Sequence, residues 1–97
     1  MPTHDELPQF LREWAKLTSR QQVLFLAAVV EMVEDLRAHA PFRPTLRIKG
    51  VQGHPGIFEM TWASNGRATF HFGTEVQPGE AHVIWRRIGG HEIFDRP

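Results

Sequence analysis

Apolar residues near the start of the chain recur every three or four positions, which is the period of an amphipathic helix. The first such run extends from Leu7 to Leu17 and predicts a helix of about three turns. Thr18 and Ser19 then interrupt the pattern, and either side chain can cap a second helix that begins near Arg20. The apolar residues of this second helix cover more than one stripe, so we expect it to be the more buried of the two. These residues are Val23, Phe25, Leu26, Val29, Val30, Met32, Val33 and Leu36.

Pro41 and Pro44 end the helical part, because proline lacks an amide donor and restricts the residue before it. After them the apolar period is two, which predicts strands over residues 57–62, 67–72 and 82–88. The pair Asn65-Gly66 between the first two strands favours a tight hairpin. The sequence therefore predicts an α+β domain over residues 1–97, with an N-terminal helical hairpin packed on an antiparallel sheet of three to four strands.

Alternation assigns the side chains to two faces of this sheet. An apolar face should receive the helices, and it carries Phe58, Met60, Trp62, Phe70 and Phe72. The opposite, polar face carries Glu59, Thr61, Arg67, Thr69 and His71. In the third strand Val83 and Trp85 alternate with Ile84, so the pattern does not decide whether Arg86 or Arg87 lies on the polar face.

Composition limits the kinds of ligand and site that we expect in this chain. The chain has no cysteine and equal numbers of acidic and basic residues, but residues 41–97 hold 7 Lys/Arg against 5 Asp/Glu and four of the six histidines. This excess is too small for strong non-specific binding of nucleic acid, so an RNA-directed protein of this kind would need a partner to present the RNA. The histidines lack the paired spacing of zinc modules, and we expect neither a metal nor a cofactor. Neither a signal peptide nor a membrane-spanning segment is evident, which favours the cytoplasm.

The order of motifs after the helical hairpin resembles that of the RelE/ParE superfamily of bacterial toxins, the toxin components of type II toxin–antitoxin systems. The resemblance rests on four segments in order: residues 46–53 (Leu-Arg-Ile-Lys-Gly-Val-Gln-Gly), a Gly-Ile-Phe-Glu strand, a Gly-Arg-Ala-Thr-Phe strand, and residues 83–94 (Val-Ile-Trp-Arg-Arg-Ile-Gly-Gly-His-Glu-Ile-Phe). It implies a RelE/HigB/YoeB-like mRNA interferase that cleaves mRNA on the ribosome and is neutralised by a cognate antitoxin. Such toxins usually begin with a strand that has no counterpart among the predicted elements, so this strand is either missing or lies upstream.

The resemblance also implies roles for individual residues. Lys49 occupies the position of a basic group near the attacking 2′-hydroxyl, and Arg67 that of an arginine on the scissile phosphate. His91, with Glu92 beside it, matches a C-terminal proton-transfer group, and Phe94 stands where many relatives have a tyrosine, so it offers stacking alone.

Cleavage by the 2′-hydroxyl needs a base, an acid and cations near the phosphorane. Histidine titrates near neutrality, so we assign His91 as acid or base, and Arg67 with Arg86 or Arg87 as phosphate ligands. Lys49 is either the second proton-transfer group or another phosphate ligand, and His71 on the polar face is a further substrate contact.

Two alternatives remain open at this point. One is a ParE-like poison of DNA gyrase, against which the His91-Glu92 pair argues. The other is a catalytically silent module that binds only an antitoxin. The expected partners are an antitoxin and a ribosome carrying mRNA, and either a homodimer or a toxin–antitoxin hetero-oligomer fits the sequence.

Overall fold

A computed structural model describes all 97 residues as two helices on a five-stranded sheet. The elements are β1 (Thr3–Glu6), α1 (Pro8–Trp14), α2 (Ser19–Arg37), β2 (Lys49–Gly50), β3 (Phe58–Ala63), β4 (Gly66–Phe72) and β5 (His82–Gly89). Short 3₁₀ turns cover Pro44–Leu46 and His91–Asp95. The strand order is β1-β5-β4-β3-β2, in which β1 runs parallel to β5 and the other pairs are antiparallel. The predicted α+β class and helical hairpin are confirmed, with a sheet that is mixed and slightly larger than expected.

The helix ends follow from local chemistry. At the start of α2, the Thr18 hydroxyl accepts from the Gln21 amide and the Gln21 side chain accepts from the Thr18 amide, which forms a capping box. Pro8 occupies the first turn of α1, where its missing amide costs nothing. α1 ends at Trp14, so it is shorter than the predicted three turns.

The strand that the resemblance required is present at the N-terminus. β1 pairs with β5 from Thr3 opposite His82 to Glu6 opposite Trp85. The buried His82 ring holds this pairing, since its Nδ1 lies 2.6 Å from the Thr3 hydroxyl and its Nε2 lies 3.0 Å from the Asp5 carboxylate. The prediction that this strand is either missing or lies upstream was wrong. The polar residues of β1 show no apolar period, and the strand is held by contacts with residues some 80 positions away in the sequence.

The core lies between the helices and the inner face of the sheet. Phe25 of α2 packs edge-on against Trp85, with ring centroids 5.0 Å apart, and Trp85 packs against Phe70 at 5.3 Å. The predicted inner-face residues are buried or half-buried, except that Phe72 is 42% exposed at the end of β4.

α2 buries three residues against one in α1, in agreement with the prediction that it is the more buried helix, but it is not covered on all sides. It buries Phe25, Ala28 and Met32, while Val23, Leu26 and several neighbours face solvent. Its apolar residues cover more of the helix than the sheet can reach, so one apolar side has no cover within the chain.

The hairpin between β3 and β4 is confirmed with a different turn. Ala63 pairs with Gly66, so Ser64 and Asn65 occupy the turn, and neither has a positive φ. Gly66 instead allows close packing, because a Cβ there would lie 2.6 Å from the Trp62 indole. Neither helix is long and apolar enough to cross a membrane.

Candidate functional site

Side chains of the outer face, the side of the sheet opposite the helices, form a row across four strands. Lys49 pairs with Glu59, Glu59 with Thr69, and Thr69 with Arg87, so all four project from the same face. Adjacent strands lie about 4.8 Å apart, which separates Lys49 from Arg87 by roughly 15 Å. Within the row, Lys49 Nζ lies 4.0 Å from Glu59 Oε1.

A β-bulge decides the direction of the two arginines of β5. Thr69 pairs with Arg87 and the next residue, Phe70, pairs with Trp85, so Arg86 is the extra residue. Trp85 and Ile88 on either side are 4% and 1% exposed and fill the core. Arg86 and Arg87 therefore both reach the outer face, which answers the question that alternation left open.

Arg87 is held by a carboxylate from the first helix. Its Nε and Nη2 each donate to Glu13 over 2.8 Å, and the two side chains are 19% and 15% exposed. Glu13 also accepts from the amide of Ile88 at 3.3 Å. These bonds raise the pKa of Arg87, so its guanidinium is a permanent cation.

Arg86 contacts the predicted substrate residue His71. Arg86 Nη1 lies 3.1 Å from His71 Nδ1, and because a guanidinium only donates, Nδ1 accepts and the ring proton sits on Nε2. Burial lowers the pKa of His71, and the charge of Arg86 lowers it further. His71 is therefore a neutral imidazole at pH 7.

The C-terminal residues lie over these groups. The Pro97 carbonyl accepts from Thr69 Oγ1 at 3.1 Å and from Arg86 Nε at 3.0 Å, and the Arg96 carbonyl accepts from Arg87 Nη1 at 2.7 Å. Thr69 is fully buried as a result. Beside this segment an open cleft of about 680 Å³ is lined by both arginines, His54, Gln9 and Asp95.

The remaining predicted residues lie at the hairpin end of the outer face. Arg67 pairs with Gly89, and its Nη1 donates to the carbonyls of Ala63, Ser64 and Gly66 at 2.9–3.3 Å. Arg67 is thus bonded to the β3–β4 turn. His91 follows Gly89 by two residues and starts the 3₁₀ turn beside that hairpin.

His91 is exposed and packs edge-on against Phe94, with ring centroids 5.6 Å apart. Glu92 accepts from the Gly90 amide at 2.9 Å, and this bond, with one from its own amide, lowers the Glu92 pKa. A Cβ at residue 90 would lie only 2.6 Å from Glu92 Oε2. Glycine at this position therefore leaves room for the Glu92 carboxylate to bond the Gly90 amide.

The outer face thus has two groups of polar residues. The structure brings Arg86, Arg87 and His71 together around Thr69, with Lys49 at the far end of the row. Arg67, His91, Glu92 and Phe94 form the other group at the hairpin end. No set of three or more His, Cys, Asp or Glu side chains is arranged to hold a metal ion.

Three participants were not predicted. Glu59 and Thr69 were assigned to the outer face but given no role, although alternation along β4 placed Thr69 between Arg67 and His71. No local sequence pattern indicated a role for Glu13, because its partner Arg87 lies 74 residues away in the sequence.

Comparison with solved structures places this architecture among known folds. The toxin in the E. coli DinJ–YafQ toxin–antitoxin complex matches with a TM-score of 0.63 and 10% identity, over 94% of this chain and 93% of that one. A YoeB/ParE toxin from Agrobacterium tumefaciens matches with a TM-score of 0.64 and 8% identity, over 92% of this chain and 98% of that one. The RelB–RelE antitoxin–toxin complex from Methanococcus jannaschii matches with a TM-score of 0.59 and 14% identity, over 95% of this chain and 96% of that one.

No protein-family model matches the sequence, and no curated protein does. At these identities the likeness is one of fold, and it extends over nearly the whole length of each chain. The chain therefore has the fold of the RelE, YafQ and YoeB toxins of toxin–antitoxin systems.

Proposed function

We propose that this protein is the toxin of a toxin–antitoxin system and acts as a ribosome-dependent endoribonuclease. The observation that carries the proposal is the pair of adjacent guanidiniums, Arg86 and Arg87, which a bulge directs to the outer face beside the neutral His71. The shared fold supports the assignment to toxins, and the chemistry of this face supports RNA as the substrate.

Arg86 and Arg87 would bind the scissile phosphate. Besides Glu13 and His71, their present acceptors are main-chain oxygens of Arg96 and Pro97 at 2.7–3.0 Å, and phosphate oxygens can accept the same bonds. A bound phosphate therefore exchanges with the C-terminal segment for the same donors, and Thr69 becomes accessible as that segment moves away.

The reaction needs two proton transfers. A base takes the proton from the 2′-hydroxyl as its oxygen forms a bond to phosphorus, and an acid protonates the 5′-oxygen as its bond to phosphorus breaks. His91 lies in the hairpin-end group, so it would serve one transfer only after the 3₁₀ turn of residues 91–95 moves toward Arg86. His71 becomes available for the other when a phosphate replaces it as the acceptor for Arg86, since its Nδ1 is then free to take a proton.

Lys49 and Arg67 keep supporting roles in this proposal. The row Lys49-Glu59-Thr69-Arg87 suits the path of an RNA strand across the sheet, with Lys49 on a phosphate beyond the scissile one. Arg67 would stabilise the transition state only after leaving the hairpin carbonyls.

The ribosome and an antitoxin are the proposed partners. A chain with no net charge gains little from counterion release on free RNA, so the ribosome must supply the local concentration of message. The YafQ and RelE neighbours were solved as complexes with DinJ and RelB, which supports an antitoxin for this chain. We propose that an acidic antitoxin segment covers the outer face from Arg67 to Arg86, Arg87 and His91.

The test is induction of the protein in a bacterial host, with cut sites mapped by primer extension on translated and untranslated copies of one message. We expect growth arrest and cuts only in the translated copy. Arg86→Ala and His91→Ala should abolish both effects, whereas Arg37→Ala and His39→Asn, which change exposed groups at the end of α2, should not. Arrest without cuts would instead indicate a gyrase poison.

A second function has one observation in its favour. Glu13 already neutralises Arg87, which is the arrangement expected of a catalytically silent module that only binds an antitoxin. Normal growth with abundant soluble protein, together with capture of an antitoxin, would favour this function over cleavage.

A further inference from the structure

α2 contains an apolar run that the rest of the chain does not cover. Residues 23–30 read Val-Leu-Phe-Leu-Ala-Ala-Val-Val, with no polar side chain in eight positions. Phe25 and Ala28 face the sheet, but Val23, Leu26 and Val30 are 64%, 52% and 57% exposed. A helix that is apolar on all sides normally has cover on all sides.

The exposed residues form a defined stripe with charged ends. Arg20, Val23, Ala27, Val30 and Glu34 follow one another at steps of three and four residues, so they share one face of α2, opposite the core residues. All five are exposed. The stripe is therefore basic at the N-terminal end, apolar in the middle and acidic at the C-terminal end.

We propose that this α2 stripe is a homodimer interface in which two copies of α2 cross antiparallel at Ala27. A two-fold axis at Ala27 sets Val23 and Leu24 of one protomer against Val30 of its partner. It also brings Arg20 of one protomer opposite Glu34 of its partner, once at each end. The small side chain of Ala27 lets the helices approach closely where they cross.

Charge complementarity is the reason for choosing a second copy as the occupant. An antiparallel pair satisfies both charged ends with the same sequence, as a two-fold interface requires. Glu34 is 61% exposed and its one ionic contact within the chain, with Arg43 at 3.3 Å, is also shared by Asp35 and Glu31. Glu34 can therefore turn toward a partner while Arg43 keeps two carboxylates.

The outer face of the sheet is not part of this interface, because α2 packs on the inner face. The dimer leaves the cleft at Arg86 and Arg87 open, and its presence or absence is independent of RNA cleavage. A single helix pair buries less than the roughly 1,600 Å² of a standard interface, so we expect association in the micromolar range.

The test is sedimentation equilibrium of the full chain without RNA, from about 1 to 500 µM, a range that spans micromolar affinity. The wild type should change from monomer to dimer within it. Val23→Glu should weaken the dimer by at least about tenfold, or 1.4 kcal/mol. Val76→Glu is the matched control, because Val76 is equally exposed, at 65%, but lies outside the α2 stripe, in the loop after β4.

A charge exchange distinguishes self-association from other contacts. Arg20→Glu and Glu34→Arg should each weaken the dimer, and the double variant should restore it, because the two changes meet only across an antiparallel pair. A wild type that stays monomeric at the highest concentration would overturn the proposal and leave the stripe to a different protein. Equal weakening by Val76→Glu, or a double variant no better than the singles, would also overturn it.

Discussion

The two faces of the sheet are built from different kinds of contact. The inner face is closed by aromatic packing, in which the rings of Phe25, Trp85 and Phe70 contact one another. The outer face is closed by directional bonds, from Arg87 to Glu13 and from Arg86 and Thr69 to the Pro97 carbonyl. Packed aromatic rings have no alternative partner, whereas donors bonded to carbonyls can exchange them for a ligand. The inner face thus supplies stability and the outer face supplies groups that can bind.

The largest expected effect is a difference in stability between a substitution on the inner face and one on the outer face. Phe70→Ala removes a fully buried ring from the inner face and should lower the free energy of unfolding by about 3–5 kcal/mol. Lys49→Ala on the outer face removes a side chain that is 71% exposed, and it should change the free energy of unfolding by less than about 0.5 kcal/mol. Chemical denaturation of both variants measures the difference. Equal losses would show that the outer face is as much a part of the core as the inner one.

The Arg87–Glu13 pair is the strongest polar contact of the outer face. Glu13→Gln leaves a half-buried guanidinium without its counter-charge and should destabilise by about 1–3 kcal/mol. A double-mutant cycle with Arg87→Gln, which removes the positive charge, isolates the coupling between the two side chains. The same Glu13→Gln protein should also bind phosphate more readily at Arg87, measured by titration with inorganic phosphate. Unchanged stability would mean that the pair is solvated and contributes nothing.

The sequence predicted the inner face better than the outer one, for a physical reason. Period two in β3 and β4 follows directly from which side chains the core buries, so Met60 and Phe70 were placed correctly. β1 has no buried apolar alternation and is held by His82, so no local pattern could predict it. Contacts between residues distant in sequence produce no periodic pattern of apolar residues along either segment.

The candidate site shows the same limit. Alternation assigned Thr69 and His71 to the outer face, but the bulge that turns both Arg86 and Arg87 outward depends on register with β4. Glu13 belongs to a helix whose apolar face was the only feature available for prediction. α2 shows a different limit. Its composition predicted the more buried of the two helices, which it is, but the chain contains too little surface to cover all of its apolar residues.

Thr69 tests how firmly the C-terminal segment is held. Thr69→Val keeps the shape but removes the hydroxyl that donates to the Pro97 carbonyl, which should cost about 1 kcal/mol of stability. Hydrogen exchange at the amides of Asp95 and Arg96 should become faster as the segment opens more often. Thr61→Val is the control, because Thr61 lies on the same face and the C-terminal segment does not bond to it. Equal changes in both variants would indicate an effect of strand propensity and not of the lost bond.

His71 gives the smallest effect, and its sign is fixed by its environment. Burial and Arg86 lower its pKa in the folded protein below the ordinary value, so the folded state binds fewer protons than the unfolded state. The neutral ring contributes its full stability above the unfolded pKa of about 6.5. This stabilising contribution falls as the pH drops from the unfolded pKa toward the folded pKa of His71. Below the folded pKa the contribution stays constant. Denaturation of the wild type and His71→Gln at pH 7.5 and 5.0 should show the gap between them narrowing at the lower pH. A gap that is constant or widens would mean that His71 is not held neutral, and would remove it as a proton acceptor on the outer face.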